Sequence, residues 1–376
     1  MAGLLSKVLI VGGGFSGLSA AIMLRRQGVQ VDLVEITPGW TTYGAGISIG
    51  GPSLRAFRTL GILPRFLEEG HASDGTEIRT SSGQMIAEIP TPRVAGADVP
   101  GNGAVMRPVL AKILGDAALE AGTSVRLGCT FTEIAPTADH VDVAFTDGET
   151  RRYDLVIGAD GLRSKLREAV FPGGPQPRYS GQGVWRAVLP RLAGIDKTIL
   201  WVGPETKVGV NPVSRTEMYL FVNENRPVNE RIPEEHFVPL LKGLLEPFPA
   251  PEVQAFRAQL SEASQILFRP LEGMLMPLPW HAGRVVLIGD AVHATTPHLA
   301  AGAGIGVEDA IVLAEELARG ADLAAALKAF EQRRWERCRM VVHNSGRLGE
   351  IEVQGGSKAE HAALMVESFR ALTEDI

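Results

Sequence analysis

The sequence predicts an α/β protein in which a parallel sheet with flanking helices is overlaid by a second, antiparallel sheet and followed by C-terminal helices. Three observations carry this. An apolar, β-branched run at 8–11 leads through Gly12-Gly13-Gly14-Phe15-Ser16-Gly17 into a helical stretch at 18–27 and a second strand at 31–35. From 179 to 270 the texture changes to alternating runs at 183–189, 198–202, 207–210 and 217–222, which suit antiparallel pairing rather than βαβ crossovers. Beyond Leu317 the chain is rich in Ala, Arg and Glu and reads as two or three helices.

In the first unit, Gly12-x-Gly14-x-x-Gly17 falls between strand and helix, where a dinucleotide fingerprint requires it. Gly12 permits the tight turn, Gly14 lets the backbone approach a pyrophosphate, and Gly17 lets helix pack on strand. Glu35 ends the second strand about twenty residues on, placed to accept ribose hydroxyls. The unit implies a nucleotide and does not separate FAD from NAD. Segment 41–51 is small and Gly-rich, a loop or short strand. A helix at 54–60 stops at Gly61-Ile62-Leu63-Pro64. Residues 74–90 form a hairpin turning at Ser81-Ser82-Gly83, 91–104 an exposed Pro/Gly-rich loop, and 107–121 a helix. Strands follow at 125–127 and 141–145. A third, 155–157, ends in Asp160-Gly161 ahead of a helix. Helical pieces in 234–256 are broken by Pro239, Pro247, Pro249 and Pro251.

Late in the chain a strand at 284–288 ends in Gly289-Asp290, and a loop of small residues runs to Gly306. A helix begins near Ile305, with Ile311, Leu313 and Leu317 on one face. Strand, turn and Gly-rich loop feeding a helix converge backbone N–H groups on an anionic or electron-rich ligand. Asp290, at the carboxyl end of the strand, can accept from a ligand's hydroxyls.

Composition bounds the rest. The 376 residues, 45% hydrophobic and 21% charged, make a globular protein larger than one average domain. A formal charge of −6 leaves no footprint for nucleic acid or for anionic membrane. The two cysteines, Cys129 and Cys338, argue against a disulfide framework and a thiolate metal site, so no metal centre is expected. The apolar stretch 8–24 is broken by four glycines and carries no cleavage signal, so neither a signal peptide nor a membrane span is read there. The expected compartment is the cytoplasm. No carboxylate pair or Ser/His/Asp arrangement supports hydrolysis.

Residues 289–310, GDAVHATTPHLAAGAGIGVEDA, resemble the second flavin-binding motif of the FAD-dependent aromatic hydroxylases. These single-component flavoprotein monooxygenases include the 4-hydroxybenzoate, salicylate, urate and 6-hydroxynicotinate hydroxylases. The glycine frame at 12–17 and the stretch 154–167, DLVIGADGLRSKLR, complete the family's motifs in the expected order. The resemblance implies a fold like that of 4-hydroxybenzoate hydroxylase. Residues 1–72, 99–178 and 273–318 would then form an FAD-binding Rossmann-like domain, 73–98 and 179–272 the interleaved substrate domain, and 319–376 a helical region.

It also implies roles. Gly12, Gly14, Phe15, Ser16 and Gly17 hold the pyrophosphate and Glu35 the ribose. Asp290 holds the ribityl chain, and Gly302, Ala303 and Gly304 offer N–H groups to the flavin pyrimidine. Gly44, Ala45 and Ile47 pass beside the flavin, with Ile47 toward substrate. Arg107 opens a helix in an R-x-x-L pattern and reaches the ribityl or phosphate region. Phe131 supplies backbone at the adenine, and Asp160 and Gly161 brace the pyrophosphate. Arg163 and Arg167 support that loop and NAD(P)H docking. Thr41, Thr42 and Tyr43 stand where several relatives carry a pyrophosphate-binding Arg. Pro297 lies at the reactive edge of the ring system. His298 could exchange a substrate proton, whereas His293 reads as structural. Lys207, Asn211 and Tyr219 line the substrate pocket, Tyr219 with a catalytic role; the bland alternatives are a solvated Lys and a core Tyr. Trp185-Arg186 lies in a segment typical of the family, and Ala187 departs from a halogenase Trp box.

No second GxGxxG unit serves NAD(P)H, which fits a donor that binds transiently. The implied activity is NAD(P)H- and O2-dependent hydroxylation of an electron-rich aromatic or heteroaromatic small molecule through a flavin hydroperoxide, with FAD held non-covalently. Alternatives are a same-fold epoxidase or reductase, or a flavin-bound regulatory protein without turnover. Monomer and homodimer both stay open.

Overall fold

The computed structural model describes residues 4–40, 44–203 and 206–376; the expectation for Thr41, Thr42 and Tyr43 lies outside them. A six-stranded sheet runs in the order His281–Ala282, Val285–Leu287, Leu155–Gly158, Lys7–Val11, Gln30–Glu35, Ser124–Leu127. All its pairings are parallel except that of His281–Ala282. Its central strands are buried on both faces, which is why they read as unbroken apolar runs. Helices Phe15–Arg26, Arg107–Glu120 and Gly302–Arg319 pack around it in one continuous core. A small antiparallel sheet, Phe131–Pro136, Val141–Phe145 and Thr150–Tyr153, flanks it.

The second large sheet has seven strands, ordered Ile266–Gly273, Arg178–Pro190, Glu217–Asn225, Lys207–Pro212, Thr198–Val202, Thr76–Thr80, Met85–Ile89. Its period-2 pattern decides the packing. Trp185, Ala187 and Leu189 enter a second core with Trp201, Phe248 and Phe256 under helices Phe237–Leu245 and Pro251–Gln259. The alternate residues, among them Arg186, Val188, Tyr219 and Phe221, share the opposite face. One pairing departs from the antiparallel expectation, since Thr198–Val202 runs parallel to Thr76–Thr80.

A third small sheet, Gly46–Gly50, Asn102–Met106 and His71–Ser73, corrects the reading of 91–104 as an exposed loop. Its end is a strand with Ala104 and Val105 buried; the flanking Pro and Gly hid it. The late helix also starts earlier than expected, at Gly302. Two helices, Leu323–Gln354 and Lys358–Thr373, close the chain. No described helix is long and apolar enough to cross a membrane.

Candidate cofactor and substrate site

The first wall of the site is the glycine turn. Gly12 sits at φ +108°, and a Cβ there would overlap the Ala159 carbonyl, so the turn can lie against the strand Leu155–Gly158 only as glycine. A Cβ on Gly17 would collide with the Gly12 carbonyl, whereas one on Gly14 meets nothing within 4 Å. Gly14 therefore faces open space at the start of a helix that has no side-chain cap and no acid in its first turn. The leading N–H groups, with Phe15 and Ser16, stay free for an anion. Glu35 accepts from Gly13 N at 2.7 Å and from Thr37 N and Oγ1 at 2.9 and 2.8 Å. Cys129 N reaches Glu35 O at 3.0 Å, which brings the segment leading to Phe131 alongside.

The second wall comes from the opposite end of the chain. Gly289 and Gly306 both lie against Ser16, and a Cβ on either would overlap its hydroxyl. This close approach joins the two motifs. Asp160 does not reach outward. Its carboxylate accepts from Ser164 Oγ at 2.5 Å and Leu166 N at 3.0 Å, so its direct work is to hold the start of the helix Lys165–Val170, and burial pushes its pKa up. Gly161, at φ +80°, faces open space. Arg167 is buried and donates to Ala291 O (2.8 Å) and Leu162 O (2.9 Å), bolting this loop to the late motif. Arg163 is exposed and pairs with Glu272 at 2.9 Å.

His293 has a structural fate. It is fully buried, and its Nε2 lies 2.5 Å from Asp309 Oδ2. Asp309 also accepts from Gly289 N and from Arg334 Nε, both at 2.8 Å. Arg334 and Arg337 both bind Glu308. Burial opposes every charge here, yet the His293 and Arg334 cations hold Asp309 at about 2, and Asp309 raises His293 well above its ordinary value. The His293, Asp309 and Cys338 ligand atoms lie within 4.8 Å of one another, but the Arg334 guanidinium, 3.6 Å from Cys338 Sγ, already supplies the positive charge. Sequence reasoning missed this network. Its only signal was Glu308-Asp309 amid the apolar first three turns of a helix.

Between the walls lie Asp290, Arg107, Arg186 and Tyr219. Asp290 is solvent-accessible yet set deep among protein atoms, so desolvation raises its carboxyl while His293 and Arg107 pull the other way. No described residue donates a hydrogen bond to it. Arg107 N donates to Ala45 O (3.2 Å), and its side chain lies across Gly44, where a Cβ would come within 2.6 Å of Arg107 Cδ. Desolvation and the neighbouring Arg186 lower the Arg107 pKa. Tyr219 packs against Gly46, lies 5.5 Å from the Phe221 ring, and accepts from Arg186 Nε at 2.8 Å. The turn Pro297–Leu299, left-handed Ala300 at φ +49°, and the uncapped helix start at Gly302, Ala303 and Gly304 complete the rim. Gly304 must be glycine, because a Cβ would overlap Ser53 Oγ.

Four expected pocket residues are not brought into this set. Ile47 is buried in the first core. Asn211 is buried, accepting from Thr198 Oγ1 (2.5 Å) and donating to Ser48 Oγ (3.0 Å). Lys207 pairs with Glu352 at 2.5 Å. His298, expected to exchange a substrate proton, is held by neighbouring side chains. Its ring is bound at Nδ1 by Thr296 Oγ1 (2.9 Å), and its Nε2 points toward Glu352 at 3.5 Å, a long contact. Gly349 makes room for it, since a Cβ there would lie 2.9 Å from His298 Cε1. Burial disfavours the charge of Glu352, but the His298 and His361 imidazoles and Lys207 hold its carboxyl well below the usual range. Nothing in the local sequence around Glu352 announced this role.

Two uncapped helix starts for anionic groups, a carboxylate without a donor for hydroxyls and a guanidinium without an acid partner fit a dinucleotide with a polyol arm. The comparisons agree. The FAD binding domain family model matches residues 6–345. Aurachin C monooxygenase/isomerase of Stigmatella aurantiaca is 34% identical over 360 residues, covering 92% of this chain and 89% of that one. The 6-hydroxynicotinate 3-monooxygenase of Bordetella bronchiseptica is 30% identical over 346 residues, covering 89% of each. The crystal structure of Klebsiella pneumoniae HpxO complexed with FAD and uric acid superposes with a TM-score of 0.81 at 27% identity, covering 98% of this chain and 93% of that one. The chain belongs to the FAD-dependent aromatic hydroxylase family of monooxygenases. FAD is its cofactor class.

Proposed function

We propose that this protein uses NAD(P)H and O2 to hydroxylate an electron-rich aromatic or heteroaromatic small molecule, with FAD held non-covalently. The observation that carries the reading is the junction at Ser16, where the glycine turn meets Gly289 and Gly306, together with a deep Asp290 that no donor among the described residues satisfies. Two relatives point the same way, one named for monooxygenation of 6-hydroxynicotinate and one complexed with uric acid.

When bound, FAD would supply the redox chemistry that couples NAD(P)H oxidation to oxygen transfer from O2. The chain's own residues bind, orient and exclude water. Asp290 accepts from the ribityl hydroxyls, Arg107 supports the same arm, and the N–H groups of Phe15 and Ser16 meet the pyrophosphate. Glu35, its two oxygens held by Gly13 and Thr37, would accept from the ribose. The Gly302–Gly304 helix start would offer N–H groups to the flavin pyrimidine. Pro297 and the small residues after it keep water out. Tyr219, which accepts a hydrogen bond from Arg186, would be a polar contact for substrate. Arg163, exposed and paired with Glu272, would suit transient docking of NAD(P)H.

The test is oxygen isotope labelling with the FAD-loaded protein and a panel of phenols, hydroxypyridines and aminobenzoates. Hydroxylation requires substrate-stimulated NAD(P)H oxidation and one labelled oxygen in the product. Turnover without label would favour a reductase, and no turnover across the panel a binding protein.

A further inference from the structure

The strand Arg178–Pro190 buries Trp185, Ala187 and Leu189 and turns Arg186 to the other face, where its Nε donates to Tyr219 Oη at 2.8 Å. Arg186 lies close enough to Arg107 to disfavour that residue's charge. Among the described residues, no carboxylate comes within 4.0 Å of either guanidinium, and the remaining donors of Arg186 meet no protein acceptor. Arg107 has Asp290 in its field. Two like charges held together in a low-dielectric interior repel, and an anion beside them removes that cost.

We propose that Arg186 is a specificity-determining residue that binds an anionic oxygen of the substrate, either a ring carboxylate or an ionised ring hydroxyl. This rests on the hydroxylase reading above. The free Nη groups form a planar fork suited to such oxygens. Tyr219 is the second contact: its oxygen accepts from Arg186, so its hydrogen is left to donate to the same ligand oxygen. The pair thus selects a charged ligand over a neutral one of equal shape.

Calorimetric titration tests this with the FAD-loaded protein and its R186Q and R186K variants. Benzoate is compared with benzamide, and 4-cyanophenol with 4-cyanoanisole. Wild type is expected to prefer at least one anion over its neutral isostere by about tenfold or more. R186Q should weaken that anion about 10–100-fold, leaving the neutral probe within about twofold, and R186K should keep part of the preference. A preference confined to benzoate assigns a carboxylate; one for 4-cyanophenol that grows as the phenol ionises assigns a phenolate. Absence of any anion preference in wild type, or its survival in R186Q, overturns the proposal. So does loss of bound flavin in R186Q alone, since Arg186 would then serve the cofactor. A wild-type protein that cannot be loaded with FAD fails before any probe is added, and sinks the hydroxylase reading with it.

Discussion

Two sets of charged side chains lie in the interior, and they are built in opposite ways. Around Asp309, the groups His293, Arg334, Glu308 and Arg337 are mutually paired at 2.5–3.0 Å. Around Asp290, Arg107 and Arg186, the only side-chain hydrogen bond among the described residues is that of Arg186 to Tyr219. Both sets are desolvated, and isolated charges are costly away from water. The first set offsets that cost internally and so holds the fold together. The second is left with donors and acceptors that no described side chain meets, open to a ligand.

The comparison breaks first at Asp309. Asp309→Asn leaves the His293 and Arg334 cations short of their shared partner and should destabilise the protein by about 3–5 kcal/mol in chemical unfolding. If the loss were under about 1 kcal/mol, the first set would not be a structural network. Asp290→Asn should do the reverse. FAD binding should weaken about 10–100-fold, measured by fluorescence titration, while the flavin-free protein unfolds at the same or slightly higher denaturant concentration. A stability loss equal to that of Asp309→Asn would erase the distinction.

Acid sharpens it further. Asp309 lies at about 2, below its unfolded value of 3.8, so its contribution is present above that value and is lost as pH falls toward 2. Asp290 is raised, so its folded form holds its proton more tightly and the flavin-free protein gains from it as pH falls. Acid unfolding of Asp309→Asn should therefore be shallower than wild type between about pH 4 and 2, and that of Asp290→Asn should not. The smallest effect concerns the rim. Gly349→Ala presses on the His298 ring and should cost about 1–2 kcal/mol, with a shift in flavin absorbance if the Pro297 turn moves. An unchanged melting curve and spectrum would mean that the turn is held elsewhere.

Much of this was legible along the chain. Gly12, Gly14 and Gly17 are dictated by backbone collisions and open space that a glycine frame between strand and helix already implies. His293 beside a buried carboxylate fits the structural reading of that residue. The direction of the His298 ring was not legible, because it depends on Gly349 and Glu352, some fifty residues away. Lys207 and Asn211 sit on the face that period 2 assigns them, but their partners Glu352, Thr198 and Ser48 lie on other elements. Arg186 is visible as a residue, and its lack of an acidic partner among the described residues is not.

By itself, then, the sequence determined the local devices: strand–turn–helix units, glycine positions and the alternation that divides a sheet into two faces. These follow from backbone sterics and hydrophobic periodicity, which act over a few residues. Tertiary structure alone decided which charges are paired and which are left for a ligand. That outcome depends on side chains brought within about 4 Å from distant segments, and on the desolvation that makes an unmatched charge matter.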